Sequence, residues 1–135
     1  MIFTRGLSVP EGPVLLDDGS FLVVEMGSDR GCVTRVSADG AIGNVIARTG
    51  GPNGLGVDAV GNIWVAESDD PALICLSPAG DVLARLTEDG NGEAFVFPND
   101  LAFGPNGDLY MTDSGIPFAD FAPGGKVRDD WRDVR

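Results

Sequence analysis

Apolar residues in this chain come in short runs, each cut off by glycine, asparagine or aspartate. Phe21-Leu-Val-Val, Ile63-Trp-Val-Ala and Leu109-Tyr-Met-Thr are too short for helices and rich in β-branched and aromatic residues, which predicts strands. The runs are nearly continuously apolar, as suits strands covered on both faces. Asp18-Gly19 and Pro105-Asn106-Gly107 precede two of them and predict hairpin turns, because Asn and Gly accept positive φ while Pro presets the turn. No stretch carries a helical stripe with caps.

The runs belong to a repeat. EGPVLLDDGSFLVVE from Glu11, NGLGVDAVGNIWVAE from Asn53 and NDLAFGPNGDLYMTD from Asn99 align without gaps, their starts 42 and 46 residues apart. Each copy has a glycine eight positions after its first residue (Gly19, Gly61, Gly107) and an acid fourteen after it (Glu25, Glu67, Asp113). A weaker repeat lies between: VSADGAI from Val36 matches LSPAGDV from Leu76, and FAPGGKV from Phe121 is a candidate third copy. Two hairpins in every 40 to 50 residues is the spacing of a β-propeller blade, whereas solenoids of that period are mostly helical. The expected fold is all-β, about two and a half blades of a six-bladed ring. It forms one partial domain over 1–135 that stops before the ring closes. Several copies completing one ring is the alternative.

Composition narrows the chemistry. The chain has no histidine, which removes Ser-His-Asp triads, Cys-His pairs and imidazole metal sites. With 21 acidic and 9 basic residues its net charge is −12, which repels a phosphate backbone and excludes nucleic-acid binding. Cys32 and Cys75 are too few for a disulfide framework and read as buried structural thiols. No charged leader with an apolar stretch opens the chain, so a cytoplasmic location is expected. Apolar runs such as Phe21–Val24 and Ala94–Pro98 are far below the roughly twenty residues that span a bilayer, so no membrane partner is expected. Trp64 reads as core and Trp131 as a surface loop.

Candidate chemistry comes from where the repeats begin and end. In hairpins centred near residues 18, 60 and 106, Glu11 faces Glu25, Asn53 faces Glu67 and Asn99 faces Asp113. Blades related by rotation would bring these six oxygen-bearing side chains to one rim, where Ca²⁺ or Mg²⁺ finds its preferred ligands. The plainer reading is structural: Asx residues forming turns, and Glu25 and Glu67 as solvated rim charges or partners of nearby backbone. Glu11 stands apart, since the other copies carry neutral Asn there and the turn does not require a carboxylate.

The segments VPEGPVLLDDGSFLVVE, PNGLGVDAVGNIWVAE and FPNDLAFGPNGDLYMTDSG resemble the SMP-30/gluconolactonase/LRE-like family of six-bladed propellers, over Pro10 to Gly115. The resemblance implies a metal-dependent hydrolase of small-molecule lactones holding one divalent ion, Ca²⁺ in the first place, with Mg²⁺, Mn²⁺ or Zn²⁺ as alternatives. It makes Glu11 a metal ligand and Asn99 a contact to substrate or to the metal's water shell. Asn53 and Asp113 match positions common in bacterial members and fall on the substrate side. Phe97 stands where some animal members carry Arg. The remaining ligands, an Asn and an Asp that doubles as base, belong to later blades, so the general base is expected beyond Arg135. The implied chemistry is metal-assisted ester hydrolysis. Rival readings are a non-catalytic NHL-like binding propeller, or a lyase or strictosidine-synthase-like enzyme on the same scaffold.

Overall fold

Each predicted apolar run becomes a strand in the computed structural model, which describes residues 2–117 and 120. The chain forms β1 (Pro10–Leu15), β2 (Phe21–Glu25), β3 (Cys32–Val36), β4 (Ile42–Arg48), β5 (Pro52–Val57), β6 (Ile63–Glu67), β7 (Ala72–Leu76), β8 (Val82–Leu86), β9 (Pro98–Phe103) and β10 (Leu109–Asp113). All pairings are antiparallel. β1 to β4 make one four-stranded sheet, β5 to β8 a second, and β9 with β10 a two-stranded third. These are two complete blades and the inner hairpin of a third. The third outer repeat from Phe121, and Trp131, lie outside the described residues. Among the described residues no helix is long and apolar enough to cross a membrane.

Turn chemistry closes the hairpins as the sequence predicts. Gly19, Gly61 and Gly107 sit at φ of 81°, 92° and 84°, in the left-handed region where a Cβ is strained. Asp18 Oδ1 accepts from the Ser20 N–H at 3.0 Å and Asp58 Oδ1 from the Asn62 N–H at 2.8 Å, holding the first two turns.

The middle strands β2, β3, β6 and β7 are buried on both faces. Leu22, Val24, Val33, Leu55, Ile63, Val65, Ile74 and Leu76 form the core between the first two sheets, and Ala66, Leu73 and Leu101 pack between the second and third. Removing this apolar surface from water is what fastens one sheet to the next. Both cysteines are buried and free, and Trp64 is half-buried, its Nε1–H donating to Asp58 Oδ2 at 3.1 Å.

One correction concerns register. Next to the turns the pairing follows the expected centres, with Val14 opposite Leu22, Val57 opposite Ile63 and Phe103 opposite Leu109. Each inner hairpin then slips by one residue through a β-bulge, so the terminal acids lie opposite prolines: Glu25 with Pro10, Glu67 with Pro52 and Asp113 with Pro98. The expected facing pairs Glu11/Glu25, Asn53/Glu67 and Asn99/Asp113 do not form. The irregularity leaves Asn53 and Asn99 out of the ladder, while Glu11 stays in it opposite Val24.

Candidate functional site at the starts of the inner strands

The bulges are also where neighbouring sheets meet. A Cβ on Gly54 would lie 2.6 Å from Asp100 Cα and 2.7 Å from the Asn99 carbonyl oxygen, and one on Gly12 would lie 3.0 Å from Leu55 N and 3.2 Å from the Asn53 carbonyl oxygen. Glycine at these positions lets one inner strand rest directly on the backbone of the next. β5 is therefore flanked by β1 and β9, and Glu11, Asn53 and Asn99 occupy equivalent places at the same end of three adjacent strands. Glu11 is exposed, while Asn53 and Asn99 are half-buried. The Asn99 Nδ2–H donates to Ser114 Oγ at 3.0 Å, which leaves Oδ1 without a partner among the described residues.

The terminal acids do a different job. Glu25 is completely buried and accepts from the Ser8 N–H at 2.8 Å, Arg30 Nη2 at 2.8 Å and Thr34 Oγ1 at 2.6 Å. Burial pushes its pKa up, but these three donors and the Arg30 charge outweigh that and hold it down at about 2. Glu67, equally buried, accepts from the Gly51 N–H at 2.6 Å and the Asp69 N–H at 3.2 Å, and its Oε2 has no partner among the described residues. Asp113 accepts from the Val96, Phe97 and Gly115 N–H groups at 2.8, 3.0 and 2.8 Å. Of the two structural roles expected for Glu25 and Glu67, partnership with nearby backbone is correct and a solvated rim charge is not. Each acid ties down the segment leading into an inner strand, two or three residues before Glu11, Asn53 or Asn99. The signal was in the repeat: an acid recurring in every blade serves the blade.

Among the described residues no three His, Cys, Asp or Glu side chains cluster as a metal centre. The donor types at the strand starts, one free carboxylate and two amides, nevertheless suit a hard cation. They are too few to complete its coordination. Glu11 lines a cavity of about 250 Å³ with Phe3, Leu7, Phe21 and Val23, and Asp113 lines a separate one of about 390 Å³ with Asp89, Glu93 and Met111. These two expected site residues therefore line different cavities.

No known protein-family profile matches the chain. A curated relative, the gluconolactonase of Zymomonas mobilis, is 30% identical over 115 residues, which cover 76% of this chain and 32% of the relative. Over that stretch the chain is a homologue of gluconolactonase. It spans about a third of that relative's length. In fold the homologue also matches a solved gluconolactonase structure from Xanthomonas campestris (TM-score 0.69, 24% identity, 80% of this chain and 36% of that one). A solved structure from Agrobacterium tumefaciens, described as a calcium-binding protein, regucalcin, matches with a TM-score of 0.63 at 21% identity, covering 92% of this chain and 41% of that one.

Proposed function

We propose that this chain supplies one rim of a metal-dependent lactone hydrolase, with Glu11 and Asn99 as metal ligands and Asn53 and Asn99 on the substrate side. What supports the reading is that Glu11, Asn53 and Asn99 stand at one end of three adjacent inner strands, in a homologue of gluconolactonase. Glu11 is the free carboxylate of that row, and Asn99 keeps an open amide oxygen beside a hydrogen-bonded amide nitrogen. A divalent cation held there would supply Lewis-acid polarisation of the lactone carbonyl. The residues of this chain bind and orient. Glu11 lends negative charge at the rim, Ser114 fixes the Asn99 amide, and Asp113 belongs to the substrate side through the Val96 and Phe97 N–H groups, by which it holds the segment leading into the Asn99 strand. Ring closure and the general base come from further blades in a polypeptide of the relatives' length.

The test is Glu11→Gln in such a polypeptide, with acid release from a lactone panel and Ca²⁺ binding by calorimetry as readouts. Loss of at least about a hundredfold in rate, together with loss of Ca²⁺ binding, is the expected result. Unchanged turnover and metal affinity would sink the assignment, and a parent protein indifferent to Ca²⁺ and inert on lactones would point to a binding propeller.

A further inference from the structure

Glu25 and Glu67 end equivalent strands, yet they meet different charges. Each pairs with the first residue of the next strand, Cys32 or Ala72, so Arg30 and Thr34 in the first sheet correspond to Asp70 and Ile74 in the second. Glu25 finds a cation in Arg30 and a hydroxyl in Thr34. Where that cation stands, the second sheet carries an anion, Asp70, which is exposed and pairs with Arg85 at 2.6 Å. Where the hydroxyl stands, it carries buried, apolar Ile74. Among the described residues no Lys or Arg pairs with Glu67. A carboxylate taken out of water without a countercharge is strongly unfavourable, so something else must face it.

What lies over Glu67 is backbone and one hydroxyl. The link Thr49-Gly50-Gly51 between β4 and β5 passes its carboxylate closely: a Cβ on Gly50 would lie 3.3 Å from Oε1 and 3.9 Å from Oε2. The Gly51 and Asp69 N–H groups both donate to Oε1. Oε2 is left over, and so is Oγ1 of Thr49, the side chain next to Gly50. Both atoms are buried, and neither has a hydrogen-bond partner among the described residues. The link is held in place, since the Thr49 and Gly50 N–H groups donate to the Gly31 carbonyl at 3.0 and 3.2 Å. Gly50 itself is exposed, which puts the carboxylate one residue from solvent.

We propose that Glu67 Oε2 and Thr49 Oγ1 hold a small monovalent cation, Na⁺ or K⁺, which does for Glu67 what the Arg30 guanidinium does for Glu25. Charge sets the valence. One carboxylate balances one positive charge, whereas Ca²⁺ takes several, and among the described residues no three acidic side chains gather. Ligand type sets the chemistry, since carboxylate and hydroxyl oxygens suit a hard ion, and solvent beside Gly50 supplies the rest of its shell. The chain's net charge of −12 concentrates such cations around it. The ion ties the end of the first sheet to the second, at the link that leads into the Asn53 strand. The proposal does not rest on lactone hydrolysis.

Thermal melting of the 135-residue chain tests it, first in tetramethylammonium chloride, whose methyl groups bar oxygen ligands, then with Na⁺ or K⁺ substituted at constant ionic strength so that screening stays the same. Na⁺ or K⁺ should raise the melting temperature saturably by at least about 3 °C, and that of Glu67→Gln by less than about 1 °C. Thr49→Val should raise the half-saturating concentration at least about fivefold, while Thr49→Ser should leave it near that of the parent. Broadening of the sodium or potassium NMR line by the parent, absent with Glu67→Gln, reports binding directly. Glu11→Gln should keep the whole response, which separates this site from the rim. A melting temperature indifferent to both ions, as when water or a proton completes the pair, would overturn the proposal. So would a response unchanged in Glu67→Gln or Thr49→Val, or one given by Ca²⁺ alone.

Discussion

Glu25→Gln isolates a fully buried carboxylate that accepts from the Ser8 N–H, Arg30 and Thr34. Native Glu25 titrates at about 2 against a usual 4.5, a displacement of about 2.5 pH units, which at about 1.4 kcal/mol per unit corresponds to roughly 3 kcal/mol. Arg30 is 34% exposed, so its share is partly screened by water, and about 2 kcal/mol is the better expectation. The sign follows from the direction: a pKa lowered by folding stabilises the native state above about 4.5, and that stabilisation fades as pH falls toward 2. Urea melts of both proteins between pH 7 and pH 2 measure the difference directly. The variant should be about 2 kcal/mol less stable at pH 7, and the gap should close as Glu25 in the parent is protonated. A gap that stays constant down to pH 2 would refute the role of the charge, whatever its size.

Glu67→Gln should behave otherwise: one oxygen of this buried carboxylate has no partner among the described residues, so removing the charge should change stability by less than about 1 kcal/mol or raise it, as read by the same melts. Gly54→Ala forces a Cβ to within 2.6 Å of Asp100 Cα and should cost about 1 to 3 kcal/mol, visible as a lowered melting temperature; an unchanged one would mean that the second and third sheets do not meet as described. Cys32 and Cys75 are buried, and burial followed by the nearby Asp58 charge pushes the Cys75 thiol pKa up, so neither should react with an aromatic disulfide reagent at pH 8 until urea unfolds the chain.

The strands and turns were legible because they are local. Asp18-Gly19, Asn106-Gly107 and the apolar runs after them fix hairpins within about ten residues, and the repeat at 42 and 46 residues multiplies one hairpin into sheets. Glycine before Leu55 was visible as a letter but not as a contact, since its neighbour Asp100 is remote in sequence. The bulges were invisible for a related reason. A two-residue period counted from the turn stays in step only while the ladder is regular, and one inserted residue exchanges the partner of every position beyond it.

The candidate site divides along the same line. That oxygen-bearing residues recur at the two ends of each inner hairpin is a property of spacing, and the sequence alone established it. Which of them are free is a property of burial and of partners brought in from other strands. Arg30, Thr34 and Ser8 close around Glu25, three backbone N–H groups engage Asp113, and Glu11 is left exposed. Only the packed sheets could decide that, because a carboxylate's availability depends on donors that arrive from distant parts of the chain.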